Sequence, residues 1–195
     1  KAFPAHYAAP YLELSSSSAG DMAADMKATG LKDYTLAFLI PKSGCTPQWE
    51  AGNSSLGAFT SQVNALKSAG GNVIISFGGA EGGELAQTCT SVSSLTAAYA
   101  NVVSTYGVTR LDFDVEGDSE TNTAGVDRRN EAIALVEQWA ARHHRTVQFV
   151  YTLGTNMDGL NVPTGEYVLQ SAVAHHARVD IVNIMTFDYY DDAPH

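Results

Sequence analysis

Apolar residues in this chain gather in short runs rich in β-branched and aromatic types, at residues 11–14, 34–40, 72–77, 110–115, 146–153 and 180–187. Each run reads as a strand buried on both faces. Between them the spacing turns helical, at residues 19–29, 56–69, 92–106, 127–143 and 166–177. Ser18, Ser54 and Ser55 stand where helices would be N-capped, and Gly30, Gly70, Gly71 and Gly107 where they would stop. The alternation of strand and helix predicts about six βα units, the pattern of a parallel sheet with crossover helices. No linker, low-complexity tract or repeat divides residues 1–195, so one domain is expected.

Six strands suit either a doubly wound open sheet or part of an eight-stranded barrel. The run Ser76-Phe77-Gly78-Gly79-Ala80-Glu81-Gly82 follows a strand but lacks the GxGxxG spacing of a dinucleotide site. A barrel is favoured because polar residues sit at the C-terminal ends of several strands, where barrel enzymes build their sites: Glu13, Ser76, Asp112, Asp114, Glu116, Tyr151, Thr152 and Asp188.

Charge and composition narrow the partners. The net charge is -10 and the 11 Lys and Arg are scattered, which argues against nucleic acid. No apolar run approaches the roughly 20 residues of a membrane-spanning helix, and the N-terminus lacks the layout of a signal peptide. Any targeting segment is expected to have been removed or never present. Cys45 and Cys89 lie in polar stretches between elements, where a disulfide could form; two buried free thiols are the alternative. An oxidised, secreted protein is the expectation.

The chemistry concentrates in Leu111-Asp112-Phe113-Asp114-Val115-Glu116. Acids alternate with apolar residues, so the period of a strand aims all three carboxylates to one face, in a barrel the interior. Carboxylates so placed repel one another and resist desolvation, so at least one proton is expected to stay among them at neutral pH. Residues i and i+2 on a strand face lie about 6 to 7 Å apart, so Asp114 reaches both neighbours while Asp112 and Glu116 cannot touch. A solvated edge strand or a carboxylate metal site are the competing readings. The apolar opposite face opposes the first, and the absence of a ligand-rich loop or strictly spaced histidines opposes the second. His143, His144, His175 and His176 read as exposed helix ends rather than metal ligands.

The same run resembles the DxxDxDxE signature of glycoside hydrolase family 18, the chitinases and their relatives, closest to secreted bacterial chitinases. Val73-Ile74-Ile75-Ser76-Phe77-Gly78-Gly79 is similar to that family's SxGG strand, and the run from Val182 to Tyr189 to its sixth strand. The resemblance implies a (β/α)8 TIM barrel and retaining hydrolysis of β-1,4-linked N-acetylglucosamine in chitin or chitooligosaccharides. The substrate's own acetamido group serves as nucleophile, and no metal or organic cofactor is required. It further implies Glu116 as general acid and base, Asp114 orienting the acetamido group, and Asp112 sharing a proton with Asp114. Asp188 and Tyr189 would hold the acetamido group, with Met185 lining its pocket.

Ser76, Gly78 and Gly79 read as structural, the glycines allowing close backbone approach to the catalytic strand. Tyr151 fits a substrate contact or core packing equally. Trp49 suits stacking on a sugar or anchoring a loop. An endo-β-N-acetylglucosaminidase acting on N-glycans uses the same core, and a chitin-binding lectin is a non-catalytic alternative, although such lectins typically lose the terminal Glu. The chain departs from the family pattern at Thr109 and Arg110, where aspartate and glycine are usual, and at Phe187, where many members have tyrosine. It also stops just after the sixth strand, so a barrel truncated after about six βα units, completed by a missing C-terminal segment, is expected.

Overall fold

A parallel strand covered on both sides must alternate its residues between two apolar layers, and this alternation organises the molecule. The structure, a computed structural model, describes residues 2–81, 83–156, 159–160 and 164–185. Its strands are β1 (Tyr11–Glu13), β2 (Asp33–Ser43), β3 (Thr46–Trp49), β4 (Asn72–Gly78), β5 (Arg110–Val115), β6 (Gln148–Asn156), β7 (Gly159–Leu160) and β8 (Ile181–Met185). Its helices are α1 (Asp21–Thr29), α2 (Thr60–Ser68), α3 (Leu85–Thr88), α4 (Val92–Tyr106), α5 (Asp118–Thr121), α6 (Thr123–Arg142) and α7 (Thr164–Ala174). Six strands run parallel in the order β1-β2-β4-β5-β6-β8. That is the order of successive strands in a (β/α)8 barrel, with the sheet curled around an interior face and helices outside.

The outer layer is an aromatic core. Phe77 of β4 stacks on Phe113 of β5 at 5.4 Å, and Tyr99 of α4 meets both rings edge-on at 5.0 and 5.3 Å. Tyr151 of β6 continues the row, 5.9 Å from Phe113. These rings, with Leu111, Val115 and Leu153, are fully buried between sheet and helices. The opposite parity carries Ser76, Asp112, Asp114 and Thr152 to the interior.

Local signals end the helices as the glycines imply. Gly30 and Gly107 adopt left-handed backbone and close α1 and α4 onto Met26 O and Val103 O. Ser91 caps α4 by accepting from the Ser94 amide at 3.2 Å. Helix boundaries shift by two or three residues at α1 and α7, and two helix starts differ further from the sequence pattern. The stretch predicted as one helix over 56–69 opens with a 3-10 turn, Leu56–Phe59, before α2. The fourth long helix, α6, starts earlier than 127, because Asn122 caps it through the Gly125 amide at 2.8 Å.

Beyond its parallel register, β2 extends to Ser43 and folds back into β3, a hairpin the pattern did not suggest. Pro41, Gly44 and Pro47 make this stretch read as loop. Two ties hold it in place. Cys45 is disulfide-bonded to Cys89, and Trp49 is fully buried, its indole N–H donating to Leu56 O at 3.0 Å. Trp49 also packs edge-on against Phe59 and Tyr106. Its ring has no free face for a sugar, so of the two roles open in the sequence it takes the anchor. The disulfide closes a loop across 44 residues, and removing it through Cys45→Ser with Cys89→Ser should lower stability by about 3–4 kcal/mol in urea denaturation.

The departure at Arg110 also has a place. Arg110 has the interior parity of Asp112, at the N-terminal end of β5, and lies over the rings of Phe3 and Tyr7 at 4.5 and 5.1 Å. Gln148 accepts from its Nη2 at 2.6 Å, and it donates to the Tyr7 hydroxyl as well. The guanidinium fills the barrel floor beneath the acids, where glycine would leave a void.

Candidate active site

Three strands converge on Asp112. Its Oδ2 accepts from Ser76 Oγ of β4 at 2.6 Å and from the Tyr11 hydroxyl of β1 at 2.8 Å, and its Oδ1 from Thr152 Oγ1 of β6 at 2.7 Å. Burial pushes the Asp112 carboxyl upward, and these hydroxyls from Ser76, Thr152 and Tyr11 oppose that push. Tyr11 is itself held protonated, chiefly by burial and then by the adjacent Asp112 charge. With both oxygens occupied, Asp112 is a fixed floor for the residue above it.

Asp114 is different. It is only 4% exposed, and its Oδ1 has no hydrogen-bond partner. Its carboxyl is pushed up to about 9, first by burial, then by the Glu116 charge, by a hydrogen bond with Glu116, and last by Asp112. Of the carboxyls on this strand face, Asp114 is the one pushed furthest toward keeping a proton. The resemblance implied a proton shared between Asp112 and Asp114; around Asp112 the structure places the three hydroxyls of Ser76, Tyr11 and Thr152. Glu116 lies just past the strand, partly exposed, its amide accepted by Ser119 Oγ at 2.9 Å.

Asp114 and Glu116 open into a cleft of about 560 Å³ at the C-terminal ends of the strands. Tyr11, Phe38, Thr152 and Met185 line it. The Met185 carbonyl accepts from Thr155 of β6. Tyr151 is absent from the cleft: it has the outward parity of β6, is fully buried, and gives its hydroxyl proton to Asn130 of α6. Its neighbour Thr152 has the inward parity. Asp188 and Tyr189 lie outside the described residues.

Glycine is required at the close approaches. Gly78 has φ +99°, and a Cβ there would stand 2.2 Å from the Asp114 carbonyl oxygen. Gly79 has φ +87°, donates its amide to that oxygen at 3.2 Å, and abuts the Phe38 ring. Gly78→Ala should destabilise the protein by about 3 kcal/mol, seen as an earlier urea midpoint, because backbone rather than a flexible side chain must yield. Behind Gly78 lies a buried ion pair, Glu84 with Arg129 at 3.1 Å, both fully buried, with the Tyr99 hydroxyl donating to Glu84 at 3.3 Å. Glu84 also caps α3 by accepting from the Ala86 amide at 2.9 Å. Nothing in the sequence pattern marked this pair, since its members lie 45 residues apart.

Sequence reasoning passed over Tyr11, Phe38 and Asn183. Phe38 reaches the cleft through a bulge in β2: Leu36 and Leu39 pair with Ile75 and Phe77, so three steps along β2 match two along β4. An apolar run such as Ala37-Phe38-Leu39-Ile40 carries no mark of that shift. Asn183, which lines the cleft and donates to Thr152 Oγ1 at 3.4 Å, had a readable signal as a lone amide inside an apolar strand. Among the described residues no group of three or more His, Cys, Asp or Glu is placed to hold a metal ion.

Comparison with known proteins agrees with this fold. The chain is 35% identical over 192 residues to a probable bifunctional chitinase/lysozyme of Escherichia coli, covering 97% of this chain and 21% of that protein. It is 34% identical over 189 residues to Endochitinase 11 of Metarhizium anisopliae, covering 97% of this chain and 36% of that one. The chain thus spans about a fifth to a third of these curated relatives. Among solved structures, the catalytic domain of a hyperthermophilic chitinase from Pyrococcus furiosus superposes with a TM-score of 0.82 at 35% identity, over 97% of this chain and 60% of that one. The family model described as Glycosyl hydrolases family 18 matches residues 11–195, and the chain belongs to that family.

Proposed function

We propose that this chain forms the catalytic part of a chitinase, cleaving β-1,4-N-acetylglucosamine linkages with retention of configuration. The observation that carries the reading is Asp114: buried, lining the cleft beside Glu116, its carboxyl pushed upward, and with one oxygen that has no hydrogen-bond partner. A buried acceptor without a donor is costly, and a substrate amide N–H would satisfy it.

The chemistry follows from that contact. An N–H donated to Asp114 favours its ionised form, so the shared proton passes to Glu116. Glu116 then gives it to the glycosidic oxygen as the bond to the anomeric carbon breaks. The acetamido carbonyl oxygen, oriented by Asp114, bonds to that carbon from the opposite face, and the Asp114 carboxylate stabilises the resulting cation. Water next attacks the anomeric carbon, its proton returning to Glu116, and the acetamido oxygen leaves. Two displacements restore the original configuration, the substrate-assisted exception to the two-carboxylate scheme. Asp112, fixed by its hydroxyl donors, keeps Asp114 aimed through both events.

Support comes also from relatives. One solved structure of the Pyrococcus furiosus chitinase domain, at 35% identity and a TM-score of 0.83, is a complex with chito-oligosaccharides. The test is to follow hydrolysis of N-acetylated chitotetraose by proton NMR. Newly formed β-anomer supports the reading; newly formed α-anomer, or an uncut tetramer, rejects it. A secreted location is part of the same proposal, its support being the Cys45–Cys89 disulfide, which belongs in an oxidising compartment.

A further inference from the structure

The buried pair of Glu84 and Arg129 has no part in the proposed reaction. Glu84 caps α3 in the segment that leaves β4, and Arg129 stands on α6, in the segment that leaves β5 and Glu116. Glu84 Oε2 accepts from Arg129 Nε at 3.2 Å, from its Nη2 at 3.1 Å and from the Ala86 amide at 2.9 Å, while Tyr99 of α4 donates to Oε1 at 3.3 Å. Arg128 ties the same two segments again by donating to the Ala86 carbonyl. Among the described residues Arg129 Nη1 has no hydrogen-bond partner, although it is buried. Uncharged side chains in place of such a pair often leave a protein as stable or more so, and an unmet buried donor adds a cost. Stability alone does not account for these two charges.

Their place in the fold does. Glu84 Cγ lies 3.6 Å from the point that a Gly78 Cβ would occupy. Gly78 pairs with Asp114 in the ladder, and the Gly79 amide donates to the Asp114 carbonyl at 3.2 Å, so Glu84 braces the backbone that grips Asp114. On the other side, Ser119 of α5 bonds both the amide and the carbonyl of Glu116, at 2.9 and 2.7 Å, and α5 leads through Asn122 into α6 and Arg129. Building on the proposed reaction, we propose that Glu84 and Arg129 are a positioning pair, whose contact sets where Glu116 stands relative to Asp114 and so how well its proton reaches the glycosidic oxygen. Neither touches the substrate. A shift of about 1 Å in a reacting group, caused far from the chemistry, can cost about 10²-fold in rate.

The test is the full chain carrying Glu84→Gln together with Arg129→Met, assayed on chitotetraose across the pH range. Glutamine keeps an oxygen for the Ala86 amide and no unpaired charge is left buried, so the urea midpoint should stay near that of the parent. Against that unchanged fold, kcat should fall about tenfold or more while KM moves less than about twofold. The alkaline limb of kcat should also move to lower pH. Burial and then the Glu116 charge push the Asp114 carboxyl up, and a Glu116 that drifts away withdraws part of that push. Partial unfolding would scale kcat and leave the limb in place. Arg129→Lys keeps the charge but not the two-pronged contact; it should move kcat and the limb the same way by less, and it decides the matter if the double variant does not fold. A folded variant with parental kcat and limb overturns the inference while the chitinase reading stands. If the parent itself leaves chitotetraose uncut, both fall.

Discussion

Glu116→Gln is expected to lower kcat on chitotetraose by about 10²- to 10⁴-fold, the usual worth of a positioned general acid and base, while Kd changes little. Glutamine has nearly the shape of the glutamate it replaces and still forms hydrogen bonds across the cleft mouth, but it has no proton to give to the leaving oxygen. Because Glu116 acts twice, as acid and then as base, both half-reactions slow together, so no intermediate accumulates. Turnover assayed by product chromatography, with Kd from calorimetry, separates this outcome from simple unfolding. A variant that binds and cuts at the rate of the parent would remove Glu116 from the mechanism and with it the chitinase reading.

The strand that carries Glu116 was the most legible part of the chain, for a physical reason. Asp112 and Asp114 alternating with Leu111, Phe113 and Val115 leave one arrangement that buries the apolar residues against helices and keeps the acids off them. In β6 the pattern did not decide. Tyr151 and Thr152 are both plausible on either face, and only the pairing of Thr152 with Asp114 fixes which one turns inward. Tyr11 was beyond pattern reading altogether. Its strand has three residues, and its hydroxyl meets a carboxylate 101 positions away because the sheet curls.

The hairpin around Trp49 was missed, and the role of Trp49 left open, for one reason. Proline and glycine in residues 41–47 argue locally for loop, and an aromatic residue in a loop beside a cleft invites a binding role. What the local signals omit is that the Cys45–Cys89 disulfide, itself expected, pins a hairpin to the end of α3, and that the Leu56 carbonyl accepts from the indole N–H. Long-range ties of this kind have no periodicity. The same holds for Glu84 and Arg129, whose burial behind Gly78 gives the close approach of β4 and β5 its rigid backing.

Asp114→Asn is expected to make the protein both slower and more stable. Activity should fall by about 10²-fold or more, since asparagine neither ionises to steady the developing cation nor passes a proton to Glu116. The stability change has a definite pH dependence. The Asp114 carboxyl is pushed up to about 9 in the folded protein, chiefly by burial and by the Glu116 charge, whereas in the unfolded chain an aspartate ionises near pH 3.9. Between those values the folded state binds the extra proton, so the parent loses stability from this residue as pH rises. Asparagine does not titrate. The advantage of the variant should therefore be near zero at pH 4, grow through neutrality, and level off above pH 9. Urea denaturation of parent and variant at pH 4, 6 and 8 measures it. A stability difference that stays flat across this range would mean that Asp114 carries no retained proton, and the step that hands a proton to Glu116 would lose its source.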